Sequence, residues 1–240
     1  MTAPLTLDIV TAAEEQAWNR RHLAETVTVP ALRFWGYREP ALVLGCSQRR
    51  LVSPETVRQR TGLELVERDA GGGAVLVGPW MLSASILLPP GHRYAQQPPA
   101  LSYHWLGEAY RAVLARAGIA SEVLTPAAAR QRLAAGGAGP SWACFAGLSP
   151  GEVVVGRQKL VGLAQVRRRT GVLFVAGLLL YRPDWERLVT ALGQPPGDVA
   201  ALDAVTTSCS DQLGTVPAPL PLLDALEQAL WAALDRAPLD

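Results

Sequence analysis

Two separate groups of short apolar runs limit the fold of this chain more than any other feature of its sequence. Runs of this length, bounded by Gly, Pro or charged residues, are typical of strands. They lie at 31–37, 40–46, 63–66, 74–77 and 81–87 in the first group, and at 152–155, 160–166 and 172–180 in the second. We expect the first two to be neighbouring strands, because only a short charged link separates them. The grouping predicts an α+β fold with a mixed sheet flanked by helices, and not an alternating βαβ unit.

Helices are predicted where capping residues precede apolar periodicity. Thr11, with Glu14 three residues later, has capping-box spacing and predicts a helix over 11–24. Ser53 followed by Pro54 predicts a short helix to about residue 60. The remaining helical patterns lie at 98–117, which ends before Gly118, and near 184–192 and 220–233. The connections 194–198 and 215–221 are short, so we expect one domain over 1–240 without an accessory domain.

Composition excludes several classes of protein. With 49% hydrophobic and 18% charged residues the chain can form a core, and a net charge of +1 favours neither nucleic acid nor an anionic membrane surface. The apolar run 172–181 is too short to span a membrane, and the first residues lack an export signal. We therefore expect a soluble cytoplasmic protein. Three cysteines and three histidines without zinc-binding spacing predict neither disulfides nor a metal site.

A triple glycine, Gly71 to Gly73, follows Arg68 between two predicted strands. Residues without a Cβ allow positive φ and let backbone N–H groups approach a carboxylate or phosphate closely, while Arg68 would supply a fixed charge. A flexible hairpin turn explains the tripeptide equally well. The surrounding sequence is neither a P-loop nor a dinucleotide fingerprint.

A second candidate is the segment 156–165, in which Lys159 enters a strand interrupted by Gly162. A lysine at this position can direct its ammonium into a cleft, and Gly162 removes a side chain that would block a narrow pocket. An exposed turn lysine beside Arg157 is the alternative. The basic residues 167–169 indicate either a solvated hairpin tip or a docking point for an acidic partner.

Cys144 is the third candidate, fifteen residues before Lys159 and just after the small-residue loop 134–143. A cysteine in an apolar setting is usually a small, inert core residue. If the loop brings Lys159 close, however, the positive charge would favour the thiolate and make Cys144 a nucleophile. For Cys46 and Cys209 we expect structural roles.

Taken together, the segments 32–48, 68–89 and 144–174 resemble the lipoate-protein ligase and octanoyltransferase superfamily, a branch of the biotin and lipoyl protein ligase fold. The resemblance implies a class II synthetase-like catalytic domain. It also implies that Lys159 contacts an acyl carbonyl or acyl phosphate. Implied substrate-binding residues are Arg68, Gly71, Gly72, Gly73, Ala74, Gly162 and Gln165.

The stretch that begins Cys144-Phe145 is similar to the octanoyltransferase branch that uses a cysteine acyl-enzyme, whereas ATP-dependent ligases typically have an Asn-Asp pair there. The resemblance thus implies transfer of an octanoyl or lipoyl group to a lipoyl-domain lysine, without a cofactor. Implied partners are acyl carrier protein or another octanoyl donor, and apo lipoyl domains of the glycine cleavage H protein or of 2-oxoacid dehydrogenase E2 subunits.

Two alternatives remain open: an ATP- and magnesium-dependent lipoate ligase in which Cys144 is inert, and a non-catalytic module that binds acyl groups or lipoyl domains. Biotin ligation is disfavoured because no GRGRxxRxW-type loop is present. The chain departs from the superfamily pattern at residues 77–79 and 175–177, where many members have histidines, and at Gln158 and Leu163. Leu163 bears on the shape of the acyl tunnel and therefore on chain length.

Overall fold

The computed structural model describes residues 7–136 and 139–235 of the chain, so part of the predicted loop 134–143 lies outside the described residues. Within these residues, ten strands belong to two mixed sheets. In chain order they are β1 (Leu7–Val10), β2 (Ala31–Tyr37), β3 (Ala41–Leu44), β4 (Glu64–Glu67), β5 (Val75–Val77), β6 (Met81–Leu88), β7 (Glu122–Val123), β8 (Val153–Val155), β9 (Gln158–Arg168) and β10 (Gly171–Leu179).

The larger sheet has the strand order β1-β2-β6-β10-β9-β8-β7, and the smaller has the order β4-β3-β5. The pairs β1–β2 and β3–β4 are parallel, and all other pairs are antiparallel. Gly177 of β10 lies opposite Gly162 on β9 and Ser83 on β6. These three residues therefore lie side by side on neighbouring strands in the middle of the larger sheet.

The described helices, in chain order, are α1 (Ala12–Ala24), α2 (Pro54–Thr61), α3 (Arg93–Gln96), α4 (His104–Arg116), α5 (Pro126–Ala134), α6 (Trp185–Leu192), α7 (Asp198–Val205), α8 (Cys209–Leu213) and α9 (Pro219–Asp235). Side chains of α4 and α9 share one core with the larger sheet, through residues such as Leu106, Phe174 and Leu226. Leu23 of α1 packs with Leu87 and Leu173 of the same sheet in another cluster. The smaller sheet forms a further core with α2 and α6.

The predicted α+β class with a mixed sheet is confirmed, and so are the capping signals. Thr11 and Glu14 form the predicted capping box of α1, and Ser53 caps α2 with Pro54 in the first turn. The expectation that the runs 31–37 and 40–46 form neighbouring strands is wrong, because β2 and β3 belong to different sheets. The backbone of Arg38 continues the β1–β2 pairing by donating to the Val10 carbonyl, and the chain then crosses to the smaller sheet.

The helix predicted over 98–117 begins later, at His104. Pro98 and Pro99 lack backbone donors, and the Pro98 carbonyl accepts bonds from Leu101 and Ser102 in tight turns instead. The sequence analysis also missed β1, α3, β7, α5 and α7. No helix within residues 7–136 and 139–235 has the length and apolarity needed to cross a membrane.

Candidate functional site

Cys144 begins a single 3₁₀ turn, Cys144–Ala146, that is anchored to the strand edge after the triple glycine. The Cys144 N–H donates to the Ala74 carbonyl at 2.9 Å, and the Ala74 N–H donates to the Trp142 carbonyl at 2.8 Å. Ala74 therefore has a structural role in addition to the substrate contact that the resemblance implies, which stays a prediction. It fixes the backbone that carries the cysteine.

The glycines before Ala74 let the chain pass close to this turn. A Cβ on Gly73 would lie 2.5 Å from the Trp142 carbonyl oxygen and 2.7 Å from the Cys144 nitrogen. Gly72 has a φ of 92°, and a Cβ there would lie 3.0 Å from Arg68 and 3.6 Å from the Cys144 sulfur. Gly71 borders open space. The hairpin interpretation is wrong, because β4 and β5 lie on opposite sides of β3 and do not pair with each other.

The Arg68 guanidinium is the positively charged group that donates a hydrogen bond to Cys144 Sγ. Its Nη2 lies 3.5 Å from Cys144 Sγ and also donates to the carbonyls of Gly71, at 2.9 Å, and Gly73, at 3.1 Å. The two carbonyl bonds hold the guanidinium in place beside the sulfur. A guanidinium donor in this position stabilises negative charge on the sulfur atom.

Lys159 is brought to the same turn but contacts its backbone. Its side chain is 1% exposed, and Nζ donates to the Cys144 carbonyl at 2.8 Å and to Glu152 Oε1 at 2.8 Å. Nζ also lies 5.6 Å from the centre of the Phe145 ring. Cys144 and Lys159 therefore do lie close together. The Lys159 ammonium contacts the Cys144 carbonyl, and the Arg68 guanidinium contacts the Cys144 sulfur.

Glu152 completes this buried pair and was missed by the sequence reasoning, which treated it only as the start of a strand. Its carboxylate is 2% exposed and also accepts the Ser149 N–H at 2.7 Å. Burial raises the pKa of the Glu152 carboxyl above its ordinary value, while Lys159 opposes that shift. Gly45 was missed as well, although a Cβ there would lie 2.0 Å from the Gly72 carbonyl oxygen.

A cavity of about 440 Å³ opens beside Cys144, between α1, the larger sheet and the loop that begins at Arg68. Cys144, Phe145, Gly162 and Arg68 line it near the sulfur. Much of the remaining wall is apolar, formed by Leu23, Ala70, Val43, Val75, Val77, Met81, Leu163, Ala164, Val166, Leu173 and Val175. The cavity therefore suits an apolar group attached to the sulfur of Cys144.

Gln165 does not face this cavity. Its side chain accepts from Ser102 and Arg167, at 3.3 and 2.7 Å, and donates to the Pro99 carbonyl at 3.1 Å. Side chains alternate along a strand, so Gln165, three residues after Gly162, lies on the opposite face of the sheet. Gln165 is not among the residues that line the cavity, and its implied substrate contact stays a prediction.

Charged residues surround the exposed end of the cavity. Asp69 pairs with Arg20, Arg49 and Arg168, each at 3.5 Å. Arg20, Asp69, Arg168 and Arg169 line the cavity, whereas Arg167 donates to the Ala95 carbonyl at 2.7 Å. The basic turn 167–169 therefore contributes two of its three arginines to the cavity entrance.

The other two cysteines lie in different environments. Cys209 is buried in the core of the larger sheet, and burial raises the pKa of its thiol to about 12. Cys46 is exposed, so its predicted structural role does not come from core packing. No group of three or more His, Cys, Asp or Glu side chains that could hold a metal ion occurs in the described part of the chain.

The fold agrees with the comparison to known families. Residues 10–230 match the family described as the lipoyl protein ligase A/B catalytic domain, and the chain belongs to this family. The resemblance inferred from the three sequence segments is confirmed. Octanoyltransferase LipM of Kyrpidia tusciae is 35% identical over 171 residues, which cover 69% of this chain and 60% of the relative. The match thus spans less than two thirds of that protein.

Solved structures show the same fold at low sequence identity. A lipoate-protein ligase A bound with ATP has a TM-score of 0.67 and 16% identity, covering 98% of this chain and 86% of its own. A bi-partite lipoate protein ligase from Thermoplasma acidophilum, described with its E2 lipoyl domain, has a TM-score of 0.63 and 15% identity. That match covers 96% of this chain and 84% of the archaeal one.

Proposed function

We propose that this protein is an acyltransferase that moves a medium-chain acyl group, of octanoyl length, to the lysine of a lipoyl domain through a thioester on Cys144. The observation that carries the proposal is the position of Cys144 Sγ, on the wall of a largely apolar cavity and 3.5 Å from the Arg68 guanidinium. The similarity to octanoyltransferase LipM supports the same reaction.

In the first step the Cys144 sulfur attacks the carbonyl carbon of an acyl thioester. The new carbon–sulfur bond forms as the bond to the donor sulfur breaks, and the donor leaves as a thiol carrying the proton of Cys144. One thioester replaces another, so this exchange is close to balanced and needs no ATP. Splitting a transfer into two steps of this kind is the usual benefit of covalent catalysis.

In the second step the amine of the acceptor lysine attacks the Cys144 thioester. An amide bond forms, the carbon–sulfur bond to Cys144 breaks, and the proton lost by the amine returns to the sulfur. An amide is more stable than a thioester, so this step is downhill. No cofactor enters either step of the proposal.

The residues around Cys144 have distinct parts in this scheme. Arg68 would stabilise the sulfur anion in both steps. Lys159 would fix the turn through the Cys144 carbonyl, instead of acting on the sulfur as the sequence reasoning expected. Burial of the acyl chain contributes about 0.8 kcal/mol per CH₂ group to binding.

For the acceptor we propose an apo lipoyl domain, such as that of the glycine cleavage H protein or a 2-oxoacid dehydrogenase E2 subunit. The archaeal ligase described with its E2 lipoyl domain supports this class of partner. For the donor we propose acyl carrier protein or another octanoyl thioester. The arginines at the cavity entrance suit a partner with acidic surface residues.

The proposal is tested by intact-mass measurement of the enzyme and an apo lipoyl domain after incubation with octanoyl carrier protein. We expect an octanoyl adduct on Cys144 and then on the lipoyl domain, and we expect Cys144→Ala to lose both. Cys46→Ala, which removes an exposed thiol, is the matched control and should retain both.

Octanoylation of the domain by Cys144→Ala at an unchanged rate would refute the covalent scheme. A second incubation, with ATP, magnesium and lipoate replacing the octanoyl donor, separates a transferase from a ligase. Modification in that arm alone would favour ligation. Binding of the apo domain without modification in either arm would indicate a non-catalytic module.

A further inference from the structure

One side of the cavity beside Cys144 is polar. Five side chains form what we call the polar wall: Glu15, Gln16 and Asn19 from α1, Tyr37 from β2, and Ser83 from β6. Each of them is at most 7% exposed. A cavity built only for a saturated hydrocarbon chain gains nothing from buried polar groups, because each one costs free energy unless it is hydrogen-bonded.

Two bonds satisfy part of the polar wall from within the protein. The Tyr37 hydroxyl donates to Glu15 Oε2 at 2.7 Å, and the Ser83 hydroxyl donates to the Ala176 carbonyl at 3.2 Å. Burial raises the pKa values of Glu15 and Tyr37, which favours the protonated form of each group.

Asn19 differs from these neighbours. Its side chain is 3% exposed and lines the cavity, yet neither Oδ1 nor Nδ2 makes a hydrogen bond of normal geometry with a described residue. Its amide does act on the Glu15 carboxyl, because burial raises the pKa of that carboxyl and Asn19 helps to lower it. Buried amides in folded proteins nearly always have partners, so an unpartnered one on a cavity wall indicates a site for a polar ligand group. Asn19 offers that group one acceptor and two donors.

The chemistry of Asn19 restricts the ligand. A hydroxyl group both donates and accepts, so it can bond to Oδ1 and Nδ2 alike, whereas a ketone can only accept and a saturated chain can do neither. We propose that the preferred acyl group is a medium-chain acyl with a hydroxyl on its hydrocarbon part, and that Asn19 binds this hydroxyl. The proposal rests on the function proposed above and specifies its substrate class.

The first test compares thioester donors in the transfer assay with an apo lipoyl domain. The donors are octanoyl and hydroxyoctanoyl carrier proteins, with the hydroxyl moved carbon by carbon along the chain. We expect at least one hydroxylated donor to exceed octanoyl in kcat/KM by about tenfold or more, because a site built to bind a hydroxyl discriminates against an analogue that lacks it.

The second test uses Asn19→Leu, which keeps the approximate size of the side chain and removes both polar atoms. We expect this variant to lose the preference, so that the ratio of kcat/KM for the hydroxylated donor to kcat/KM for octanoyl falls to about one. Arg21→Leu, on the exposed side of α1, is the matched control and should keep the preference. A purely structural Asn19 would instead show equal losses with both donors.

The outcomes separate this inference from the proposed function. If octanoyl transfers and no hydroxylated donor exceeds it in the unmodified protein, the inference is refuted and the function stands. If no donor transfers, the proposed function fails, and calorimetric titration with free octanoic and hydroxyoctanoic acids tests the subsite alone. Tighter binding of a hydroxy acid that is lost in Asn19→Leu would support the inference, and any other titration result would refute it.

Discussion

Gly71 and Gly72 are adjacent in the chain, but only one of them has a backbone that requires glycine. Gly72 has a φ of 92° and lies against Arg68 and Cys144, whereas Gly71 has open space around its Cα. We expect Gly72→Ala to cost about 1–3 kcal/mol of stability and to displace Arg68, which slows formation of the Cys144 adduct. Urea unfolding and intact-mass kinetics measure the two effects.

Gly71→Ala is the matched control, and we expect it to change neither quantity appreciably. The comparison also tests the implied role of Gly71 in substrate binding. Equal loss of adduct formation in both variants would contradict the structural distinction between the two glycines.

Lys159 and Glu152 form a buried ion pair, so removing one partner leaves the other charge in the core. We expect Lys159→Met to lower the free energy of unfolding at neutral pH by about 3–5 kcal/mol. In that variant the pKa of Glu152, already raised by burial, rises further because Lys159 no longer opposes the shift. The folded state then holds a proton that the unfolded state releases.

The sign of the pH dependence follows from this difference in proton binding. Between the ordinary value of 4.5 and the raised pKa of Glu152, the folded variant binds more protons than the unfolded chain, so its stability increases as pH falls. Urea unfolding at a series of pH values should give Lys159→Met a steeper gain on acidification than the unmodified protein. Parallel stability curves would contradict a buried, unpaired Glu152.

At the scale of the elements, helix α1 matters because it carries Glu15, Gln16 and Asn19 along one side of the cavity. Thr11→Ala removes its capping box and should cost about 1 kcal/mol of stability. Fraying of the first turn should also slow acyl transfer severalfold. Both effects are read from urea unfolding and transfer rates.

Thr125→Ala is the control for this prediction, since the Thr125 side chain accepts the Ala128 N–H at the start of α5, although α5 has no capping box. No described residue of α5 lines the cavity beside Cys144. We therefore expect a similar loss of stability with an unchanged transfer rate. A parallel loss of transfer in both cap variants would show that general stability, and not the position of α1, controls the reaction.

Helix starts and strand segments could be predicted because their signals are local. Thr11, Ser53 and Pro54 act on backbone groups within a few residues, and the apolar runs needed no knowledge of their partners. Thr125-Pro126 carries the same signal for α5 and was overlooked. The assignment of β2 and β3 to different sheets could not be derived in this way, because it depends on contacts far apart in the chain.

In the fold as a unit, the cavity lies on one face of the larger sheet, and the core that the sheet forms with α4 and α9 lies on the other. Octanoic acid, bound only by the folded state, should raise stability by about 2.7 kcal/mol at one hundred times its dissociation constant. Thermal unfolding with and without the acid checks this expectation.

Leu226→Ala provides the control, because Leu226 is fully buried in the core shared by α4, α9 and the sheet. We expect it to lower stability by about 2–5 kcal/mol while leaving the stabilisation by octanoic acid unchanged. Loss of that stabilisation in Leu226→Ala, or its absence in the unmodified protein, would contradict binding in the cavity described.

The sequence predicted which reactive and charged residues lie together in the candidate site. Cys144, Lys159 and Arg68 do converge, but which cation contacts the sulfur depends on side-chain directions that spacing does not determine. Glu152 and Asn19 could not be recognised as site residues, because nothing in the sequence distinguishes them from other residues at a strand start or within a helix. Gln165 and Gly162 were expected to bind the same substrate, although the two-residue period of a strand would have placed them on opposite faces of the sheet.

Both backbone groups of Cys144 are held in place. The Cys144 N–H donates to the Ala74 carbonyl, and the Cys144 carbonyl accepts from Lys159 Nζ. With the backbone held in this way, only rotation about the Cα–Cβ bond of Cys144 can move the sulfur toward an acyl donor. Under the proposed function, we therefore expect an acyl tail too long for the cavity to leave its carbonyl carbon out of reach, so that chain length is selected before any bond forms.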